Sequence, residues 1–130
     1  MEKKNGLNKA EKLKSKKEID ALFARRQSFH VFPVRVFYGI QNEEQCDAVK
    51  IGFGCSKKYF RHAVRRNRAK RLMREAYRTQ KHALLQSVAE RKKTLHIFLL
   101  FSNNELIDYA GLQAAIFAIL QRLEKMINKE

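Results

Sequence analysis

The residues best suited to chemistry lie in one segment, Ser56 to Lys81, SKKYFRHAVRRNRAKRLMREAYRTQK. On a helical wheel at 100° per residue, Leu72, Ala76 and Ala69 fall within about 60° of one another, with Met73 at their edge. The opposite arc holds Arg66, Asn67, Lys70, Arg71, Arg74, Tyr77, Arg78 and Lys81, and Glu75, the only acid of the segment, lies off it. Arg65 and Arg68 project toward the apolar side, so they are expected near the helix start or around a sheet edge. A solvated helix face normally mixes signs, because like charges at i, i+4 repel. Here Arg66, Lys70, Arg74 and Arg78 run at that spacing without relief. Phosphates would supply the missing counter-charge, and the planar fork of arginine suits phosphate oxygens and base edges. Asn67 both donates and accepts, so it could read a base or a 2′-hydroxyl, or brace a neighbouring arginine. The segment predicts a nucleic-acid-binding helix. Composition alone does not choose between DNA and RNA.

The rest of the composition agrees. The chain has 130 residues, enough for one domain and one unaided core. Lys and Arg number 28 against 13 Asp and Glu, a net charge of +15 that favours a polyanionic partner. Anionic lipid would attract the same charge, but no apolar run approaches the ~20 residues needed to span a bilayer. The Lys-rich start, MEKKNGLNKAEKLK, leads into no apolar secretory core, so a cytoplasmic protein without a membrane partner is expected. Cys46 and Cys55 fit no zinc spacing and read as reduced thiols. No HExxH, GxSxG or phosphate-binding glycine loop is present. Gly52-x-Gly54 lacks the third glycine and the following helix of a dinucleotide fingerprint. His30 and His96 sit in strand-like segments, His62 and His82 flank the basic helix, and acids are scattered. A two-metal nuclease site held by the protein would need clustered carboxylates.

The elements that must hold the basic segment are legible in coarse outline. Residues 1–14 are polar and Lys-rich and read as a flexible tail, followed by a single domain over 15–128. Ser15-Lys16-Lys17-Glu18 is a capping box, and Ile19, Leu22 and Phe23 follow at helical spacing to about Arg26. Phe29 to Ile40 reads as strand, with Phe32, Val34, Val36, Tyr38 and Ile40 on one face and Phe29, Val31, Arg35 and Phe37 on the other. Pro33 makes it an edge strand or gives it a bulge, and an extra short strand fits inside 27–40. Ala48 to Cys55 alternates cleanly, Val49, Ile51, Phe53 and Cys55 against Ala48, Lys50, Gly52 and Gly54. The small face leaves room for a ligand or for close packing. One long helix is expected from 62 to about 82. Thr94 to Phe101 reads as a central strand buried on both faces. Leu112, Ile116, Ile119, Leu120, Leu123 and Ile127 mark a final amphipathic helix. The order is α-β-β-α-β-α, and the strand-helix-strand unit over 48–101 suggests two strands in one sheet, with a parallel pairing open to them.

At the basic helix the sequence becomes specific. Cys55-Ser56-Lys57-Lys58, then Ala63-Val64-Arg65-Arg66-Asn67-Arg68-Ala69-Lys70-Arg71-Leu72-Met73-Arg74-Glu75, closely resembles the "RNR" signature of the bacterial ribonuclease P protein family. The resemblance implies an α+β, single-domain αβββαβα sandwich with a small mixed sheet and a left-handed βαβ crossover. That handedness opposes the usual rule. It implies the protein subunit of an endoribonuclease, in which the partner RNA holds Mg²⁺ and cleaves the 5′ leader from precursor tRNA. One protein per ribonuclease P RNA, and no DNA partner, would follow. Arg66, Asn67, Arg68, Lys70, Arg71 and Arg74 map onto the family's RNA contacts, with Lys57 and Lys58 extending them and Arg65 and Arg78 flanking. Phe23 matches an aromatic of the leader cleft between the first helix and the sheet, and Phe37 and Tyr38 lie where a strand aromatic is expected. Ile19 stands in place of a second cleft aromatic, and Tyr59-Phe60-Arg61-His62 replaces a shorter glycine-containing link. A ribosomal-type RNA-binding protein would share the basic helix but not the dependence on a leader.

Overall fold

Alternation of period 2 builds the sheet. The computed structural model describes residues 13, 16–25, 27–41, 49–55, 62–103 and 108–129. Its four strands are β1 (Ser28–Val31), β2 (Val34–Gln41), β3 (Val49–Cys55) and β4 (Thr94–Phe101). Their order is β1-β2-β4-β3, with β3 and β4 parallel and the other neighbours antiparallel. The stretch Phe29 to Ile40 is therefore a hairpin rather than one strand. It turns at Phe32-Pro33, whose peptide bond is cis. Pro33 has no N–H to give a ladder, which suits a turn better than a strand interior. The turn resets the faces. Phe29 pairs with Val36 and is buried with it, not grouped with Phe37, and Phe32 projects into solvent, 61% exposed.

Three helices cover one face: α2 (Ala63–Arg78), α3 (His82–Glu90) and α4 (Tyr109–Lys129). The single long helix expected to about residue 82 stops at Arg78. Thr79 Oγ1 donates to the carbonyls of Glu75 and Ala76, and Gln80 Nε2 donates to those of Ala76 and Gln113. These side chains satisfy the last carbonyls of α2, so the chain can leave the helix. The next helix, α3, went unread because its stop carries no glycine. Lys92 takes the left-handed position at φ 53°. The Lys92 and Lys93 amides donate to the carbonyls of Ala89 and Val88, a Schellman closure. Asp108 caps α4 by accepting from the Gly111 amide at 3.1 Å. The stripe Leu112, Ile116, Ile119, Leu120, Leu123 and Ile127 is buried as its spacing requires.

On the other face lies α1 (Lys16–Ala24), the one described helix there, which meets β2 and β4. Its Ser15 cap lies outside the described residues. Leu13, read as tail, is buried and donates its N–H to the Ile51 carbonyl at 2.9 Å. The strand Thr94–Phe101 is accordingly not buried on both sides. Leu95, Ile97, Leu99 and Phe101 are fully buried against the helices, whereas His96, Phe98 and Leu100 are half-buried on the α1 side. The result is a single-domain α+β fold, a four-stranded mixed sheet with four helices.

Candidate nucleic-acid interface

The buried stripe of α2 is Ala69, Met73, Ala76 and Tyr77. This rotates the helix relative to the wheel drawn from Leu72. Tyr77, assigned by the wheel to the cationic arc, is fully buried, with its ring centroid 6.1 Å from that of Phe53. The reason is the second neighbour: α4 packs along α2, so burial spreads past the sheet-facing line. The cations divide accordingly. Arg65, Arg68, Arg71 and Arg74 are exposed, with Asn67 among them, and Arg66 and Lys70 are half-buried beside β3. Arg65 and Arg68 lie near the helix start, the first of the two placements expected for them, and are open to solvent there. Lys57 and Lys58 lie outside the described residues.

The charges are not wholly unrelieved. Arg78 Nε donates to Glu75 Oε2 at 2.8 Å, and its Nη2 meets Glu75 Oε1. The Arg78 hydrogen bonds hold the Glu75 carboxyl below its ordinary range and raise the guanidinium. Arg78 thus meets the RNA-facing arc with part of its charge already balanced by Glu75. Arg74 lies over the Phe53 ring, 5.7 Å from its centroid. Burial pushes the Cys55 thiol up, while the nearby charges of Arg66 and Lys70 pull it down. Those two cations therefore stand at the C-terminal end of β3.

The opposite sheet face carries an aromatic cleft, and strand register lays out its rows. One row is Ser28, Phe37, Phe98 and Gly52; the next toward the hairpin is His30, Arg35, Leu100 and Gly54. Phe23 of α1 stands on the first row, its ring 4.6 Å from Phe37 and 5.3 Å from Phe98. It remains 38% exposed, so it is not a plain core residue. The room left by the glycines is taken by Phe98: a Cβ at Gly52 or Gly54 would stand 2.8 or 2.7 Å from its ring. Close packing thus accounts for both glycines. Tyr38 is a correction. One residue on from Phe37, it faces the helices, packs on the core and contacts Phe29 at 5.7 Å, because successive side chains of a strand point to opposite faces. Phe98 and Arg35 belong to the cleft and were missed as site residues. Their signal was the alternation of TLHIFLLF and VRVFYG, readable only once the register was known. Gly54 lies on this face, and its neighbour Cys55 on the other, where Arg66 and Lys70 stand.

The ribonuclease P family model matches residues 7–124. The chain belongs to the ribonuclease P protein family. It is 37% identical to the ribonuclease P protein component of Porphyromonas gingivalis, over 91% of this chain and 86% of that one. It is 42% identical to that of Chlorobium phaeobacteroides, over 62% and 57%. Its fold is similar to those of the ribonuclease P proteins of Staphylococcus aureus and Thermotoga maritima. Their TM-scores are 0.66 and 0.67 at 18% and 20% identity. The alignments cover 88% of this chain and 95% of the first, and 86% and 96% for the second. The family's function is tRNA 5′ processing together with the RNA subunit. Among the described residues, Ile19 of this family member is half-buried on α1, and no helix is long and apolar enough to cross a membrane.

Proposed function

We propose that this chain is the non-catalytic subunit of ribonuclease P, a cytoplasmic protein that joins one RNA subunit and grips the 5′ leader of precursor tRNA. The observation that carries the reading is the presence of two unlike surfaces on one small sheet. On one side of the sheet α2 exposes Asn67, Arg68, Arg71 and Arg74, and on the other Phe23, Phe37 and Phe98 form a half-exposed aromatic cluster. Arginines on one helix suit the folded RNA backbone. Aromatics suit a single strand, whose bases can stack on them whatever their sequence. Arg66 and Lys70, at the C-terminal end of β3, would bind phosphates there, and Lys57 and Lys58, in sequence between β3 and α2, would extend that set. Arg65 would extend the RNA face, and Arg78 contributes less because Glu75 partly neutralises it.

The chemistry belongs to the RNA in this reading. Among the described residues no three His, Cys, Asp or Glu side chains converge to hold a metal ion. In this reading the RNA would hold the Mg²⁺. The deciding experiment is leader cleavage of a precursor tRNA at low Mg²⁺ with ribonuclease P RNA, with and without the protein. Stimulation by the protein, and no cleavage by protein alone, is expected. No stimulation with a cognate RNA would leave a generic RNA-binding protein. Cleavage by protein alone would make it a nuclease.

A further inference from the structure

A third row crosses the α1 face beyond the aromatic one: Gly39, His96 and Lys50. Above it, on the flank of α1 away from Phe23, is a cavity of about 290 Å³ lined by Glu18, Ala21, Leu22, Arg25, Gln41 and His96. Lys50 Nζ reaches Glu18 Oε2 at 3.4 Å and ties α1 to β3 along one wall. Arg25 lies across Gly39, where an added Cβ would stand 2.8 Å from its Nη1. His96 Nε2 is covered and has no hydrogen-bond partner among the described residues. A buried polar atom without a partner costs free energy, so a site that keeps one beside a cavity is suited to a ligand that supplies the partner.

The lining selects the ligand. Ala21 and Leu22 give an apolar wall, while Arg25, Gln41, His96 and Glu18 give donors and acceptors around it. A bare phosphate would meet the Glu18 carboxylate. A planar base would lay its face on the apolar wall and its edge on the polar groups, and an exocyclic amine would donate to Glu18. The volume is at the small end for a ligand pocket and suits one base with its sugar rather than two. We propose that this cavity is a second nucleotide subsite, which takes one unpaired RNA base bearing an exocyclic amine. Arg25, on the solvent end of α1, moves off Gly39 to admit it and then stacks on it or pairs with its phosphate. The proposal rests on the RNA-binding reading for the source of that nucleotide, either the leader or the RNA subunit.

The test follows the imidazole nitrogens of His96 by NMR in the full chain, with AMP, CMP, GMP and UMP as probes. Inorganic phosphate and ribose 5-phosphate are the controls. The three amino bases are expected to shift His96 saturably, UMP to bind at least threefold more weakly, and the controls to leave His96 unmoved. His96→Phe, which keeps the bulk and removes both nitrogens, should weaken the amino nucleotides at least fivefold while the thermal midpoint stays within a few degrees. A shift produced by phosphate or ribose 5-phosphate, UMP binding as tightly as the others, or no saturable shift at all would overturn the proposal. In the reconstituted holoenzyme, loss of affinity for precursor but not mature tRNA in His96→Phe assigns the base to the leader. Weaker assembly with the RNA subunit alone assigns it to that RNA, and neither effect overturns the subsite. A wild-type chain that bound amino nucleotides yet failed to stimulate leader cleavage would sink the subunit reading and leave the cavity standing.

Discussion

The two faces of the sheet are built from the same strands and do opposite things. On the helix side, Val36, Ile51, Ile97 and Leu99 are sealed under three helices. The α1 side carries three glycines, half-buried rings and a cavity, under a helix of nine residues. Among the described residues, burial is deeper on the first face and the second is incompletely covered. An unfinished face is a surface on which a single strand can stack.

The sharpest way to break this contrast is to cut one residue from each face. Leu99→Ala, at a fully buried site, should cost about 3 to 4 kcal/mol in denaturant unfolding. Phe23→Ala, already partly exposed, should cost about 1 to 2 kcal/mol. It should weaken precursor binding with little change for mature tRNA. Equal stability losses, or equal binding losses for the two tRNAs, would return Phe23 to the core. Filling the open face is the next step down. In Gly52→Ala the new methyl must displace the Phe98 ring or the Leu13 carbonyl, which would lie 2.8 and 3.1 Å away. A stability loss of about 1 to 2 kcal/mol and weaker leader binding are expected, because overpacking shifts side chains. An unchanged precursor affinity would mean that Phe98 is no part of the cleft.

Charge separates the two surfaces in a different way. If the protein neutralises about 5 to 8 phosphates, log K should fall with log salt at a slope of about −4 to −7. Arg66→Ala and Arg74→Ala should each reduce that slope by about one, read by titrating the RNA subunit at several salt concentrations. Phe23→Ala should not change it. A slope unmoved in both arginine variants would disqualify α2 as the RNA face.

Two smaller effects sharpen the picture. Lys92→Gly should raise stability by about 0.5 to 1 kcal/mol, since glycine adopts the left-handed conformation that costs other residues about 1 kcal/mol or more. A lower unfolding midpoint would argue that Lys92 makes a compensating contact. Burial holds the His96 imidazole below its ordinary 6.5, with Arg25 and Lys50 reinforcing and Glu18 opposing. The unfolded chain therefore binds the proton first as pH falls below about 6.5. This contribution to stability is complete above that pH and declines below it. Unfolding midpoints at pH 7.5 and pH 5.5 should differ less in His96→Phe than in the wild type, and an identical difference would show that another group titrates.

Much of this was legible in the residues themselves. Helical spacing fixed α4 down to its buried stripe, the capping pattern announced α1, and the order of residues 55–75 carried the family resemblance. The misreadings share one cause: periodicity gives an element's faces but not what packs on them. Tyr77 looked solvent-facing until α4 covered it, and Tyr38 and Phe37 could be told apart only once the hairpin at Phe32-Pro33 set the register. The end of α3 at Lys92 was silent because tertiary packing holds a non-glycine residue where local preference would choose glycine. Composition and periodicity by themselves determined a basic helix, its preference for a polyanion and an alternating sheet, because those follow from side-chain chemistry and backbone geometry. Only the tertiary structure decided that Phe23, Phe37 and Phe98 meet, that one face is the less covered among the described residues, and that His96 is left beside a cavity. Those facts depend on contacts between residues far apart in the chain.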